Sequence, residues 1–149
     1  MLLLRDGALS PHTRAGELPE RPLDLVVPYI DPALTAQALS AAIDLARGFQ
    51  ALVTLMAVYV LPYPTPLEAQ QGIRQRLESE LTTLARSSPV SVRVKLVFAR
   101  DRDDAFLGLL RRQSLVVVGT RDHWWRTREE RFARKLAAHG HSVAVIKVK

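Results

Sequence analysis

The sequence predicts an α/β protein with a single open five-stranded parallel sheet sandwiched by helices. Three observations carry that expectation. Short, almost wholly apolar runs recur along the chain, as strands buried on both faces do. Amphipathic helical stretches separate them. The runs number five with four helices between, a spacing that calls for right-handed crossovers and parallel strands.

Residues 1–21 contain Gly, Ser and Pro without periodicity and read as an irregular N-terminal arm before a domain spanning 22–149. "LDLVVPYI" (23–30) is the first buried strand. "DPALTAQALSAAIDLARGF" follows, with Leu34, Ala38, Ala41, Leu45 and Phe49 at helical spacing, Pro32 in the first turn and Gly48 near the end. "ALVTLMAVYVL" (51–61) is a second buried strand, stopped by Pro62 and Pro64. "PLEAQQGIRQRLESELTTLARS" predicts a long helix with Leu67, Ile73, Leu77, Leu81 and Leu84 facing inward. In "VSVRVKLVFA" (90–99) the apolar positions alternate with Ser91, Arg93 and Lys95, which marks an edge or half-exposed strand. A short helix over Asp103 to Gln113 leads to the apolar strand "SLVVVG". The last helix runs from about Arg128 to His139, Gly140 breaks it, and "SVAVIKVK" closes the sheet.

Composition narrows the chemistry. With no cysteine there is no disulfide, thiolate nucleophile or cysteine-based zinc site. The opening Leu triplet meets Arg5 and Asp6 too soon for a secretory apolar region, and no stretch approaches a membrane-spanning length, so a cytoplasmic protein without membrane contact is expected. From residue 121 onward eight basic side chains face three acidic ones, which accounts for five of the chain's net +6. Such a cluster attracts anionic partners or serves as a solvated helix face.

The element order, "VVP" at 26–28 before an Ala/Leu-rich helix, "LVVVGTRDH" at 115–123 and "HGHSVAVIKV" at 139–148 together resemble the universal stress protein family over roughly residues 22–149. The resemblance implies a Rossmann-like fold and, in nucleotide-binding members, ATP at the carboxyl ends of the first and fourth strands. Ligands of open α/β sheets gather where strand order reverses. The family motif places Gly, two residues, Gly, nine residues, Gly, then Ser or Thr, because glycines let main-chain N–H groups close on phosphate oxygens. Here Gly119 supplies the first glycine. The second falls on Asp122 and the last pair on Phe132 and Ala133, or on Glu129 and Glu130 if the loop is shortened. The acid the family carries after its first strand is displaced by one residue to Asp31, a position suited to capping the helix at Pro32. Asp101 roughly matches another family Asp, yet Arg100 and Arg102 flank it where the family tends to have Gly and Pro.

Gly119, Thr120, Arg121 and Asp31 are therefore the candidate residues of a degenerate nucleotide site. Thr127 and Glu130 have the spacing of a capping box, and Glu129 adds charge in the first turn, so the protein's own carboxylates are expected where a phosphate would lie. Were the turn a phosphate site, a bulky residue at 119 would abolish nucleotide binding and leave the fold intact. His123, Trp124 and Trp125 replace loop glycines. They suit a lid over the empty crevice or a protein contact, with base stacking the weaker reading.

His12, His123, His139 and His141 form no helical pair with metal-ligand spacing, and no serine lies in a Gly-x-Ser-x-Gly turn, so no enzyme activity is expected. The resemblance implies that the last strand pairs with its copy in a second subunit, a homodimer through Val143, Val145 and Val148 that covers an exposed edge. The reading is a universal stress protein-like regulatory or adaptor domain with no cofactor. Its rivals are an atypical ATP binder that substitutes Arg121, Arg126 and Arg128 for glycines, and a binder of nucleic acid or acidic protein through the Trp/Arg loop.

Overall fold

Five parallel strands in the order β3-β2-β1-β4-β5 form one sheet with helices on both faces. The computed structural model describes residues 23–49, 51–61, 67–111, 114–121 and 127–148. The expected N-terminal arm and the Trp124–Trp125 loop lie outside them. The strands are β1 (Leu23–Pro28), β2 (Ala51–Val60), β3 (Val92–Ala99), β4 (Ser114–Arg121) and β5 (Ser142–Val148). The helices are α1 (Pro32–Arg47), α2 (Leu67–Arg86), α3 (Arg102–Leu109) and α4 (Arg128–Ala138). The order runs outward from β1 to β2 and β3, then returns to place β4 on the other side of β1, so strand order reverses between β1 and β4.

Alternation along the central strands feeds two cores. Leu25, Val27, Leu55 and Val117 pack with Ala38, Ile43 and Leu81 under α1 and α2. Val26, Met56, Val116 and Val118 pack with Phe106, Phe132 and Leu136 under α3 and α4. The Phe106 and Phe132 rings meet at 5.2 Å, and burying two aromatic rings makes this pair the anchor of the second core. β3 is an edge strand, as its alternating sequence predicts, with Val92, Val94 and Leu96 turned to the first core.

Several boundaries differ from expectation. β1 ends at Pro28 rather than Ile30, because the Ile30 N–H turns away to the Thr35 hydroxyl at 2.9 Å. The inner face of α1 runs through Leu34, Thr35, Ala38, Leu39, Ala42 and Ile43, while Phe49 lies beyond the helix end at 47% exposure. α3 stops at Leu109, short of the expected Gln113. Leu110 adopts an extended backbone and buries its side chain in the second core as the chain turns toward β4. β4 continues to Arg121, two residues past the expected Gly119. Gly140 follows α4 with φ 90, a left-handed conformation that favours glycine, where the sequence marks a break.

Candidate functional site at the strand-order reversal

The carboxyl ends of β1 and β4 bring all four candidate residues together. Asp31 is the N-cap of α1: its Oδ1 accepts from the Leu34 N–H at 2.8 Å. Its other oxygen accepts from Arg121 Nη2 at 3.0 Å, an ion pair that joins residues ninety apart in sequence across the crevice. The acid displaced by one residue in sequence thus serves two structural purposes, capping a helix and pairing with a cation from β4.

Gly119 and Thr120 face inward. A Cβ placed on Gly119 would lie 2.5 Å from the Leu34 carbonyl oxygen, so the first turn of α1 crosses β4 too closely for any side chain. The glycine is required by packing, and a bulky residue at 119 disturbs the fold itself, contrary to the expectation of an intact fold. Thr120 is fully buried, and its hydroxyl meets the Thr127 hydroxyl at 2.6 Å. Thr127 in turn accepts from the Glu130 N–H at 3.1 Å, as the capping sequence predicts. The reciprocal half of the box does not form. Glu130 Oε1 is buried without a hydrogen-bond partner among the described residues instead of reaching back to Thr127. The Thr120–Thr127 pair ties the end of β4 to the start of α4.

Around this crevice the electrostatics are set by the same groups. Burial, followed by the negative charges of Glu80 and Asp31, raises the Tyr29 hydroxyl above its ordinary pKa and keeps it protonated. Asp101 repeats the Asp31 device at α3, accepting from the Asp104 N–H at 2.8 Å. Its match to a family position is thereby explained by capping as well.

A second feature opens beside this crevice, between the start of α3 and the flank of α4. It is a cleft of about 480 Å³ whose lining includes Arg102, Asp103, Arg128, Arg131, Phe132 and Lys135. The Arg102 guanidinium lies 4.6 Å over the Phe132 ring and donates to Asp103 at 3.3 Å, while Lys135 approaches Asp103 at 3.8 Å. Arg128 and Arg131 have no ion-pair partner among the described residues. Sequence reading located the cationic cluster but not the cleft, since Arg102 and Lys135 meet only through the packing of α3 on α4.

β5 is the edge strand beyond β4, with Val143 buried in the second core, Val145 and Val148 partly exposed and Lys147 exposed. Val143 therefore belongs to the fold's interior, and an edge contact there falls to the β5 backbone and the partly exposed positions. Among the described residues no group of three His, Asp or Glu is placed to hold a metal ion. No described helix is long and apolar enough to cross a membrane.

No protein-family model matches the chain, and no curated sequence matches it. Solved structures do. The universal stress protein UspA from Lactobacillus plantarum superposes with a TM-score of 0.58 at 17% identity, covering 88% of this chain and 100% of that one. A universal stress protein in complex with cAMP gives 0.58 at 15% identity over 85% and 97% of the two chains. The universal stress protein from Archaeoglobus fulgidus in complex with dAMP gives 0.54 at 14% identity over 85% and 98%. The chain has the universal stress protein fold.

Proposed function

We propose that this domain is a regulatory or adaptor module of universal stress protein type, dimeric, cytoplasmic and without enzymatic activity, whose nucleotide crevice is closed by its own side chains. The observation that carries this reading is the Asp31–Arg121 ion pair, which spans the strand-order reversal, where ligands of open α/β sheets gather; two structural neighbours of this fold are in complex with cAMP and dAMP. The supporting contacts point the same way. The Thr120 hydroxyl is spent on Thr127, Gly119 is packed on Leu34, and the loop from Asp122 to Arg126 contains no glycine to bring main-chain N–H groups onto a phosphate. These residues do not fit a triphosphate cradle. With no nucleotide chemistry to perform, the domain acts through what it binds, and the β5 edge, unpaired among the described residues, supports pairing with a second copy.

Two measurements test the halves separately. Denaturing the freshly purified protein should release no stoichiometric nucleotide, and sedimentation equilibrium should return twice the chain mass. Bound nucleotide would overturn the closed crevice, and a monomer at all concentrations would overturn the dimer.

A second reading rests on Arg128 and Arg131, which line the cleft without an ion-pair partner among the described residues: an acidic partner docking on the flank of α4. Its signature is an affinity that falls steeply with salt. Nucleic acid is the weaker candidate, since the cleft is concave and small.

A further inference from the structure

The face of the sheet beneath α3 contains a polar groove that the crevice reading does not use. Central strands of a parallel sheet are covered by helices on both faces and are apolar on both. Here three adjacent central strands depart from that rule at their amino-terminal ends. Asp24 of β1, Thr54 of β2 and Ser114 of β4 lie on the face that carries Val26, Met56 and Val116 one step further along. α3 has eight residues and ends at Leu109, too short to cover this end of the sheet. The result is a groove of about 270 Å³, completed by Arg93 and Lys95 from the edge strand and by Arg111.

Its polar groups are incompletely matched. Thr54 donates to Asp24 Oδ1 at 3.3 Å. Ser114 is 2% exposed, and its hydroxyl has no hydrogen-bond partner among the described residues. A buried hydroxyl left alone is destabilising, and such groups mark places where another molecule completes the bond. Arg93, Lys95 and Arg111 have no ion-pair partner among the described residues, so three cations line the groove against one lining carboxylate, Asp24.

We propose that this groove is a binding site for a small oxyanion carrying its own hydrogen-bond donor, of which hydrogen phosphate is the simplest member. The cations and the Ser114 hydroxyl supply charge and a donor to the oxyanion. Asp24 sets the additional requirement. Its carboxylate repels a bare anion and accepts from one that presents an O–H, so the groove distinguishes hydrogen phosphate from sulfate, which has similar size and shape but no proton at neutral pH. The site lies at the opposite end of the strands from the Asp31–Arg121 crevice and is independent of whether that crevice binds nucleotide.

The test is amide-resolved NMR titration of the full chain with inorganic phosphate and with sulfate at constant ionic strength. Saturable shifts confined to residues around Asp24, Thr54, Arg93 and Ser114 are expected with phosphate, and binding at least about tenfold weaker with sulfate. Asp24→Asn should erase the discrimination, and Ser114→Ala should weaken phosphate binding while raising the melting temperature of the free protein. Ser114→Ala removes a hydroxyl without a partner, so it keeps the test intact if Asp24→Asn folds poorly. Glycerol phosphate binding more tightly than phosphate would assign the groove to a phosphorylated metabolite, and the reverse order to the free ion. Shifts that never saturate, equal response to both anions, or phosphate binding unaffected by Ser114→Ala would overturn the proposal and leave the groove to water.

Discussion

The two ends of the sheet handle polar groups in opposite ways. At the carboxyl ends of β1 and β4, the polar side chains that line the crevice are matched within the protein: Asp31 with Leu34 N–H and Arg121, Thr120 with Thr127, Thr35 with Ile30 N–H, with Glu130 Oε1 the exception among the described residues. At the amino-terminal ends beneath α3, Ser114 has no partner and Arg93, Lys95 and Arg111 have no counter-ion among the described residues. The fold places ligands at the first of these ends. This sequence has filled most of that end with its own contacts, Glu130 Oε1 excepted, and left a buried hydroxyl and three cations without counter-ions among the described residues at the other. A position in a fold does not by itself make a site; the free hydrogen-bonding capacity there does.

Substitutions at each end should respond accordingly, and the largest effect is expected at Gly119. Gly119→Val forces atoms into the Leu34 carbonyl, and overpacking of this kind costs about 1–3 kcal/mol or more, read as a lower denaturant midpoint. An unchanged midpoint would show that α1 and β4 separate easily, and the closed description of this end would fail. Thr127→Ala removes the cap of α4 and leaves the buried Thr120 hydroxyl only its long 3.5 Å contact to the Arg121 carbonyl, for a loss of about 1–3 kcal/mol in chemical denaturation. At the opposite end the sign should reverse. Ser114→Ala is expected to stabilise the free protein by about 1 kcal/mol, since it deletes a buried hydroxyl without a hydrogen-bond partner among the described residues. Destabilisation instead would mean that the hydroxyl is already satisfied.

The Asp31–Arg121 pair is half exposed on its arginine side, so Arg121→Ala should cost less than about 1 kcal/mol in thermal unfolding. The pair closes a crevice without holding the fold together. The smallest expected effect involves His141. Burial, then the nearby His139, lowers its pKa below the ordinary 6.5, so the unfolded chain binds the proton more readily. Its contribution to stability is complete above about pH 6.5 and declines as pH falls below that value. His141→Gln should flatten that part of the stability profile.

What the sequence reveals and conceals follows the range of each interaction. Strand and helix order is written in short apolar runs and helical spacing, and the caps at Asp31 and Thr127 and the left-handed Gly140 are local signals within a few residues. The ends of β1 and α3 were less legible, because Thr35 and the second core decide them. Gly119 looks like a phosphate-loop glycine until Leu34 is seen against it. The Arg121–Asp31 contact depends on which strands become neighbours, which composition and periodicity do not specify, and the Thr120–Thr127 contact depends on how α4 packs against the end of β4. The groove had a faint signal: Asp24 is a carboxylate inside "LDLVV", where a strand covered on both faces should be apolar. Only the sheet register brings it near Thr54 and Ser114.

The most direct test of the closed crevice is calorimetric titration of the nucleotide-stripped protein with magnesium ATP, beside an Arg121→Ala variant that opens the ion pair while leaving Asp31 to cap α1. The account predicts no measurable binding by the native protein. Saturable, stoichiometric binding by the native protein, at an affinity that Arg121→Ala lowers, would contradict it and make Arg121 a phosphate ligand instead of the residue that closes the site.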